Sequence, residues 1–562
     1  MLTTLRLILG TLVWLAPAAA ERVTITVLAT TDLHGHLYPV DYYTGEPAER
    51  GLAKIATLIR AARQGNPNTL LVDVGDTIQG SPLESVYQQY VATGRLPARL
   101  TFSGGPLRRD PMMLAMNHLG YEAMVLGNHE FNFGLKNLNR ARGDARFPWI
   151  SANTVAASGA RPFEPYVVKS VAGVKVAVIG ITTPAVPSFE KPENYRSYRF
   201  LPPKEAVVAA LEELRRKHRP DLVVLGAHAG LGRDSGAGVP GENTVYEVAD
   251  SVEGIDAIIL GHTHQEFSEK RIGNVLLVQP RNWGMSLARL EFTLDRQPGQ
   301  AWRVTAKSSR LLRVSGGVAG DTEILRLAAP YHQLTERYLN TPVADSPAAM
   351  DGRLGRVQDT ALVDAVHTVQ MHYAKADVSF TALFNPRVSF PRGPVTVRQI
   401  AALYIYDNEL YAIEGTGKVV KDALENAARY YLSCPDAACS HGPLVNRYVA
   451  GFNYDMAAGV DYTVDLSKPA GQRIVDLRWR AKPLAPEQKL RIAVNNYRAA
   501  GSAGYQMFRD AKILWRSSAT IRELIVEYYT RRKSLPLRPD GNWHIIPFQA
   551  RELLQQEASA PQ

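Results

Sequence analysis

Five times between residues 28 and 264 an apolar, strand-like segment runs out, usually through a glycine, into side chains able to bind a cation, and this recurrence limits the chain more than any other feature. In Leu28-Ala-Thr-Thr-Asp32-Leu-His34, two candidate ligands spaced by two leave a strand on the same side. Asp76 follows Val74-Gly75, Asn128 and His129 follow Leu126-Gly127, and His228 follows Leu225-Gly226-Ala. At Leu260-Gly261-His262-Thr-His264 two imidazoles share one face. Apolar runs such as Val23 to Leu28, Leu70 to Val74, Val174 to Ile179, Leu222 to Leu225 and Ala257 to Leu260 alternate with amphipathic helical stretches as far as about Leu312. Runs of this kind imply strands buried on both faces, hence a layered α/β domain. Loops at the carboxyl ends of such strands converge on one edge of a sheet, so the five segments can meet.

The donor set is imidazole, carboxylate and amide without sulfur, which suits manganese, zinc, iron or cobalt better than copper(I) or an iron–sulfur cluster. Asp32, His34, Asp76, Asn128, His228, His262 and His264 exceed what one tetrahedral ion needs, so two ions sharing Asp76 is the economical arrangement. Taken singly, a buried His or Asp at a strand end is more often hydrogen-bonded structure or a helix cap. Agreement of all the segments in grammar and spacing reverses that judgement.

At 562 residues the chain is too long for one ordinary core. Arg6, the apolar stretch Leu7 to Leu15 and the small residues Ala18 to Ala20 have the layout of a signal peptide over 1–20, cleaved after Ala20. The apolar run is shorter than the roughly 20 residues of a spanning helix, and no later segment comes near that length without a charge. A first domain is expected over 21–315 and a linker helix over 316–350, with Asp321 as cap and Pro330 as a kink; the alternative is that this helix packs on the first domain. A second, mixed domain over 351–547 begins with a helix from Asp359 to His372 and is followed by a tail over 548–562. Cys434 and Cys439 can close a small disulfide ring in an oxidising compartment; a zinc site is the weaker reading because only His441 stands nearby. The net charge of +10, or +9 without the segment carrying Arg6, describes a solvated basic surface that can steer anionic substrates. Nothing resembles a module that reads nucleic acid polymers.

The series Asp-Leu-His-Gly-His, Gly-Asp-Thr-Ile-Gln-Gly, Gly-Asn-His-Glu-Phe-Asn-Phe-Gly, Gly-Ala-His-Ala-Gly and Gly-His-Thr-His resembles the calcineurin-like metallophosphoesterases. More narrowly it resembles the periplasmic 5′-nucleotidase and 2′,3′-cyclic-nucleotide 2′-phosphodiesterase/3′-nucleotidase group. The resemblance implies a catalytic β-sheet sandwich flanked by helices and a smaller C-terminal α/β nucleotide-binding domain. It implies one divalent ion on Asp32, His34, Asp76 and His264, another on Asp76, Asn128, His228 and His262, and a bound water as nucleophile. His129 is implied to face the substrate phosphate, stabilising the transition state or protonating the leaving oxygen. Relatives commonly hold that imidazole with an aspartate three residues later, where this chain has Asn132. An amide orients the ring without favouring its charged form, and this departure leans toward the cyclic phosphodiesterase/3′-nucleotidase branch.

In the second half, Gly451-Phe452-Asn-Tyr454-Asp455 and Asn495-Asn-Tyr497-Arg498 resemble the segments that clamp a base between aromatic rings, with Phe452 and Tyr497 as the sandwich. Without the resemblance, Phe452, Tyr454 and Tyr497 read as core. Leu383-Phe384-Asn385-Pro-Arg387 matches a segment in which polar groups reach ribose or phosphate; Asn385 and Arg387 are the candidates there, against a plain surface arginine in a proline turn. Gly236-Ala-Gly238-Val-Pro-Gly241 fits a dinucleotide fingerprint but follows no strand, so it reads as a loop before a helix from Glu242 to Val252. The expectation is a periplasmic or secreted, monomeric or weakly associating hydrolase of small nucleotides that needs no membrane after signal cleavage. It opens 2′,3′-cyclic nucleotides and removes the 3′-phosphate. The rivals are a 5′-nucleotidase or nucleotide-sugar hydrolase and, from another class, a non-catalytic periplasmic nucleotide-binding protein.

Overall fold

Alternation along each apolar run decides the layers. In the computed structural model, which describes residues 20–93, 107–232, 241–434, 439 and 443–560, strand Glu21–Thr30 turns Val27 and Ala29 into one hydrophobic cluster and Leu28 into another. Strand Thr69–Asp73 likewise divides Leu70 and Val72 from Leu71. Strand Val174–Thr182 sends Val176 and Val178 into the shared cluster but Ala177 and Ile179 into a third. Successive side chains of a strand point to opposite faces, so a run apolar at every position has to be covered on both. Two six-stranded sheets therefore pack face to face through the shared cluster. Helices such as Leu52–Gly65 and Pro203–Lys217 cover the outer faces.

Strand order then positions the loops. Glu21–Thr30, Thr69–Asp73 and Ala123–Val125 are consecutive parallel neighbours in one sheet. Leu222–His228 and Ala257–Leu260 are parallel neighbours in the other. Each sheet thus presents adjacent carboxyl ends to the same rim.

Helix Thr322–Leu339 is capped by Asp321, which accepts from the backbone N–H of Glu323 and Ile324. It buries Ile324, Ala328, Tyr331 and Leu334 against the helices of the first half, so it is part of that layer instead of a free linker. The next strand, Pro342–Ser346, already pairs with Gly393–Thr396 of the second half. That half is built on a five-stranded sheet and a four-stranded sheet, with helices Ala361–Ala374 and Gly417–Ala428. The halves meet through Tyr43, whose hydroxyl donates to the Ile405 carbonyl, and through Gln79, whose amide donates to Asp407 Oδ2 at 2.8 Å.

Three local expectations change. The helix expected from Asp359 begins at Ala361, and the one expected from Glu242 to Val252 spans Val245–Ser251. The tail instead contains helix Phe548–Ser559. Its Ala550 and Leu554 are buried at a four-residue spacing, and Glu557 accepts from the backbone N–H of Leu444 at 2.8 Å. Cys434 and Cys439 form a disulfide. His441, the glycine-rich loop up to Pro240 and the expected export segment except Ala20 lie outside the described residues. Among the described residues no helix is long and apolar enough to cross a membrane.

Candidate metal centre

The strands stop at Thr30, Asp73, Val125 and Leu260, and their candidate ligands stand on turns just beyond; only His228 ends its own strand. Asp32, His34, Asp76, His262 and His264 take φ values of 49, 47, 58, 73 and 54°, the left-handed region that costs roughly 1–3 kcal/mol each for residues with a side chain. This corrects the strand-alternation account of the paired ligands. Asp32 and His34 aim inward together because the backbone coils, and His262 and His264 part company instead of sharing one face. Neighbouring backbone holds the coil: Asp32 N–H donates to Gly75 O at 2.9 Å and His34 N–H to Asp76 O at 2.8 Å. The loops approach so closely that a Cβ on Gly75 would stand 2.7 Å from the Gly127 nitrogen, which explains the glycine that precedes each of these two ligand turns.

The ligating atoms collect into two groups, Asp32–His34–His264 and Asp76–His228–His262, each with its atoms within 4.8 Å of one another. Asp76 stands between them, its Oδ2 2.9 Å from His228 Nε2 and 4.0 Å from His34 Nε2. His34 Nε2 and His264 Nε2 face each other at 3.0 Å, and His264 Nε2 lies 3.5 Å from Asp32 Oδ1. Asn128 Oδ1 and His228 Nε2 are buried with no hydrogen-bond partner; the close approach of His228 to Asp76 lacks the alignment of one. Leaving such atoms unsatisfied costs about 1–3 kcal/mol apiece, and divalent cations are partners that fit this nitrogen and oxygen set.

Three of the four rings have the nitrogen pointing away from the centre engaged. His34 Nδ1 donates to the Gln79 carbonyl at 2.8 Å and His228 Nδ1 to the Val74 carbonyl at 2.6 Å, so Nε2 of both is the lone-pair atom of the neutral ring. His262 Nε2 lies 2.7 Å from Glu242 Oε1. Glu242 went unnoticed in the sequence, as did Glu130, whose buried carboxylate accepts from the backbone N–H of Gly127, Asp76 and Thr77 at 2.8, 2.9 and 2.6 Å. Glu130 at least sits inside a recognised motif; Glu242 has no local signal.

Burial lowers the His34 imidazole to about 3, with the His264 charge adding to the effect. Burial also pulls on His228, but the adjacent Asp76 carboxylate outweighs it and raises that ring to about 10. Asp32 is pushed up by burial yet brought down to about 2 by its hydrogen bond to His264.

His129 stands beside these groups. Its backbone N–H donates to Asp76 Oδ1 at 2.8 Å, and its Nε2 lies 4.0 Å from Asp76 Oδ2. Its Nδ1 lies 2.5 Å from Asn132 Oδ1, and Asn132 Nδ2 donates to Glu190 Oε2 at 2.6 Å.

In the second half Tyr497 stacks on Phe189 of the first, centroids 6.2 Å apart, while Phe452 is 45% exposed. Arg498 ties the two aromatic segments together, donating to Asp455 Oδ2 and Oδ1 at 2.8 and 2.9 Å and to the Phe452 carbonyl at 2.8 Å. Tyr454 is buried core, packed on Tyr430. Asn385 shapes its own turn, donating to the Ala402 carbonyl and accepting from the Arg387 backbone, and leaves the Arg387 side chain exposed. Arg356, not anticipated from the sequence, binds the Leu383 carbonyl at 2.7 Å beneath that turn.

Residues 25–266 match the calcineurin-like phosphoesterase family and residues 340–510 the 5′-nucleotidase C-terminal domain. The chain is 30% identical to the trifunctional nucleotide phosphoesterase protein YfkN of Bacillus subtilis, a match covering 94% of this chain and 39% of that longer protein. It is 29% identical to a 2′,3′-cyclic-nucleotide 2′-phosphodiesterase/3′-nucleotidase of Yersinia enterocolitica over 97% of this chain and 92% of the other. The structure of a 5′-nucleotidase precursor from Thermus thermophilus superposes with a TM-score of 0.63 at 25% identity, covering 93% of this chain and 99% of that one.

Proposed function

The chain belongs to the calcineurin-like phosphoesterases that carry a 5′-nucleotidase C-terminal domain, and from that premise we propose that it opens 2′,3′-cyclic nucleotides to 3′-nucleotides and then removes the 3′-phosphate. Hydrolysis of a phosphoric ester is the reaction class. The observation that carries it is the pair of ligand groups with Asp76 between them, and His129 Nε2 4.0 Å from that carboxylate. Asp32, His34, Asp76 and His264 would hold one divalent ion, and Asp76, Asn128, His228 and His262 the other. Two ions there would supply Lewis acidity toward the phosphoryl oxygens and an acidified water. His129, with Nδ1 held by Asn132, offers Nε2 to the phosphate or to the leaving oxygen. Phe452 and Tyr497 take the two faces of the base, a contact every base can make. Asn385 and Arg387 border that site, Asn385 by shaping the turn and Arg387 by presenting an exposed guanidinium to ribose or phosphate. Catalytic residues within 21–315, substrate residues within 351–547 and export after residue 20 complete the proposal.

The choice of ester draws on the Yersinia relative and on Asn132 in place of a carboxylate behind His129. Likeness to the Thermus structure supports the second reading, a 5′-nucleotidase. Product profiles on 2′,3′-cyclic AMP, 3′-AMP and 5′-AMP, with manganese and with a chelator, test both. Turnover of 5′-AMP alone would favour the second reading. Nucleotide binding that ignores the chelator, with no hydrolysis, would favour a non-catalytic binding protein.

A further inference from the structure

An asparagine beside an imidazole can present either its oxygen or its amino group, and the amide's other bonds decide which. Asn132 Nδ2 faces Glu190 Oε2 at 2.6 Å, and a carboxylate only accepts. The amide oxygen is therefore the atom left for His129 Nδ1, at 2.5 Å. Because that oxygen accepts, Nδ1 carries a proton, and Nε2 is the ring atom turned toward Asp76 and free to hold the proton that the leaving oxygen takes. Glu190 is itself fixed: its Oε1 accepts from the Lys191 backbone N–H at 2.6 Å and from Asn194 Nδ2 at 3.0 Å.

The residues flanking Glu190 both reach the other half of the molecule. Phe189 stacks on Tyr497, and Lys191 pairs with Glu409. Three consecutive residues, from the last of the short helix Val186–Phe189 to the residue before helix Pro192–Tyr195, thus touch the second domain, the His129–Asn132 pair, and the second domain again. We propose that Glu190 is a positioning residue that sets the orientation of His129 through the Asn132 amide, and that its segment transmits the seating of the second domain to that histidine. The proposal rests on the reading of His129 as acting on the leaving oxygen.

The test compares Glu190→Ala, Glu190→Gln and His129→Ala on two substrates. One is whichever of 2′,3′-cyclic AMP, 3′-AMP and 5′-AMP the enzyme turns over fastest, each of which expels an alkoxide. The other is p-nitrophenyl phosphate, whose leaving group needs little protonation. Glu190→Ala should lower kcat on the nucleotide about tenfold or more at nearly unchanged KM and spare the chromogenic ester. Glu190→Gln keeps an oxygen for Asn132 Nδ2 and should recover most of the loss. On 15N-histidine NMR of the metal-free protein, the His129 Nδ1–H signal, assigned by its loss in His129→Ala, should persist in Glu190→Gln and shift or vanish in Glu190→Ala. Selective loss in His129→Ala with an unaffected Glu190→Ala overturns the relay. Equal loss on both substrates in His129→Ala overturns the reading of His129 and the relay that depends on it. Lys191→Ala should reproduce part of the nucleotide-selective kcat loss; a change in KM alone would refute transmission from the second domain.

Discussion

The metal edge of the first half and the aromatic clamp of the second prepare for their ligands in opposite ways. At the edge, Asp32, His34, Asp76 and His228 are buried, five ligand residues sit in left-handed backbone, and outer partners such as Glu242 and the Gln79 carbonyl hold the rings from behind. At the clamp, Phe452 is 45% exposed, and the rigidity lies beneath it in the buried Arg498–Asp455 pair. Donors to a cation have to stand within about 0.5 Å of a productive position, so the chain accepts strain and unsatisfied atoms to place them. A base offers a whole π-face, so its platform tolerates looser placement.

If that contrast holds, variants at the edge should fail steeply and variants at the clamp gently. Asp76→Asn removes the carboxylate that stands between the two groups and should cost more than the roughly 10–100-fold that loss of an outer partner costs, read in metal content and in turnover of p-nitrophenyl phosphate together. Near-normal metal content in this variant would mean that Asp76 is not shared. Glu242→Ala, which frees the far side of His262, should weaken metal affinity about 10–100-fold in a competition titration with a chromogenic chelator while nucleotide affinity stays put. The pH response should separate the regions too. With His228 raised to about 10 in the metal-free protein, that ring is protonated at neutral pH, and a cation has to displace the proton. Metal affinity should therefore rise with pH, by about tenfold per unit where one proton is released, and calorimetry in buffers of different ionisation enthalpy counts that proton. A pH-independent affinity contradicts this arrangement. Tyr497→Ala should be the mildest, raising KM for a nucleotide roughly tenfold and leaving the chromogenic ester alone. Equal loss on both substrates would erase the division of labour.

Much of the edge could be read from residue order because its parts are local. Val74-Gly75-Asp76 and Leu126-Gly127-Asn128 each show a strand, a tight turn and a donor within a few residues. The same locality misled where alternation was extended past the strand ends: Asp32 and His34 are side by side through left-handed φ, which no spacing announces. Residues 548–562 read as a tail, yet Phe548–Ser559 is a helix that buries Ala550 and Leu554 and whose Glu557 accepts from the Leu444 backbone N–H of the second domain. Glu190 and Glu242 were invisible because a carboxylate that supports a site side chain from another loop has no neighbourhood pattern of its own.

The sequence by itself determined a layered α/β domain and the donor set, since apolar residues at every position of a run demand two covered faces and five segments supply imidazole, carboxylate and amide; the sandwich of two sheets came only with the family resemblance. Only the tertiary structure decided what stands behind the rings: the Gln79 and Val74 carbonyls behind His34 and His228, Glu242 behind His262, and Glu190 behind the Asn132 that holds His129. Those outcomes depend on distances between loops far apart in the chain, set by the packing of two sheets against each other, and hydrogen bonds across such gaps leave no trace in residue order.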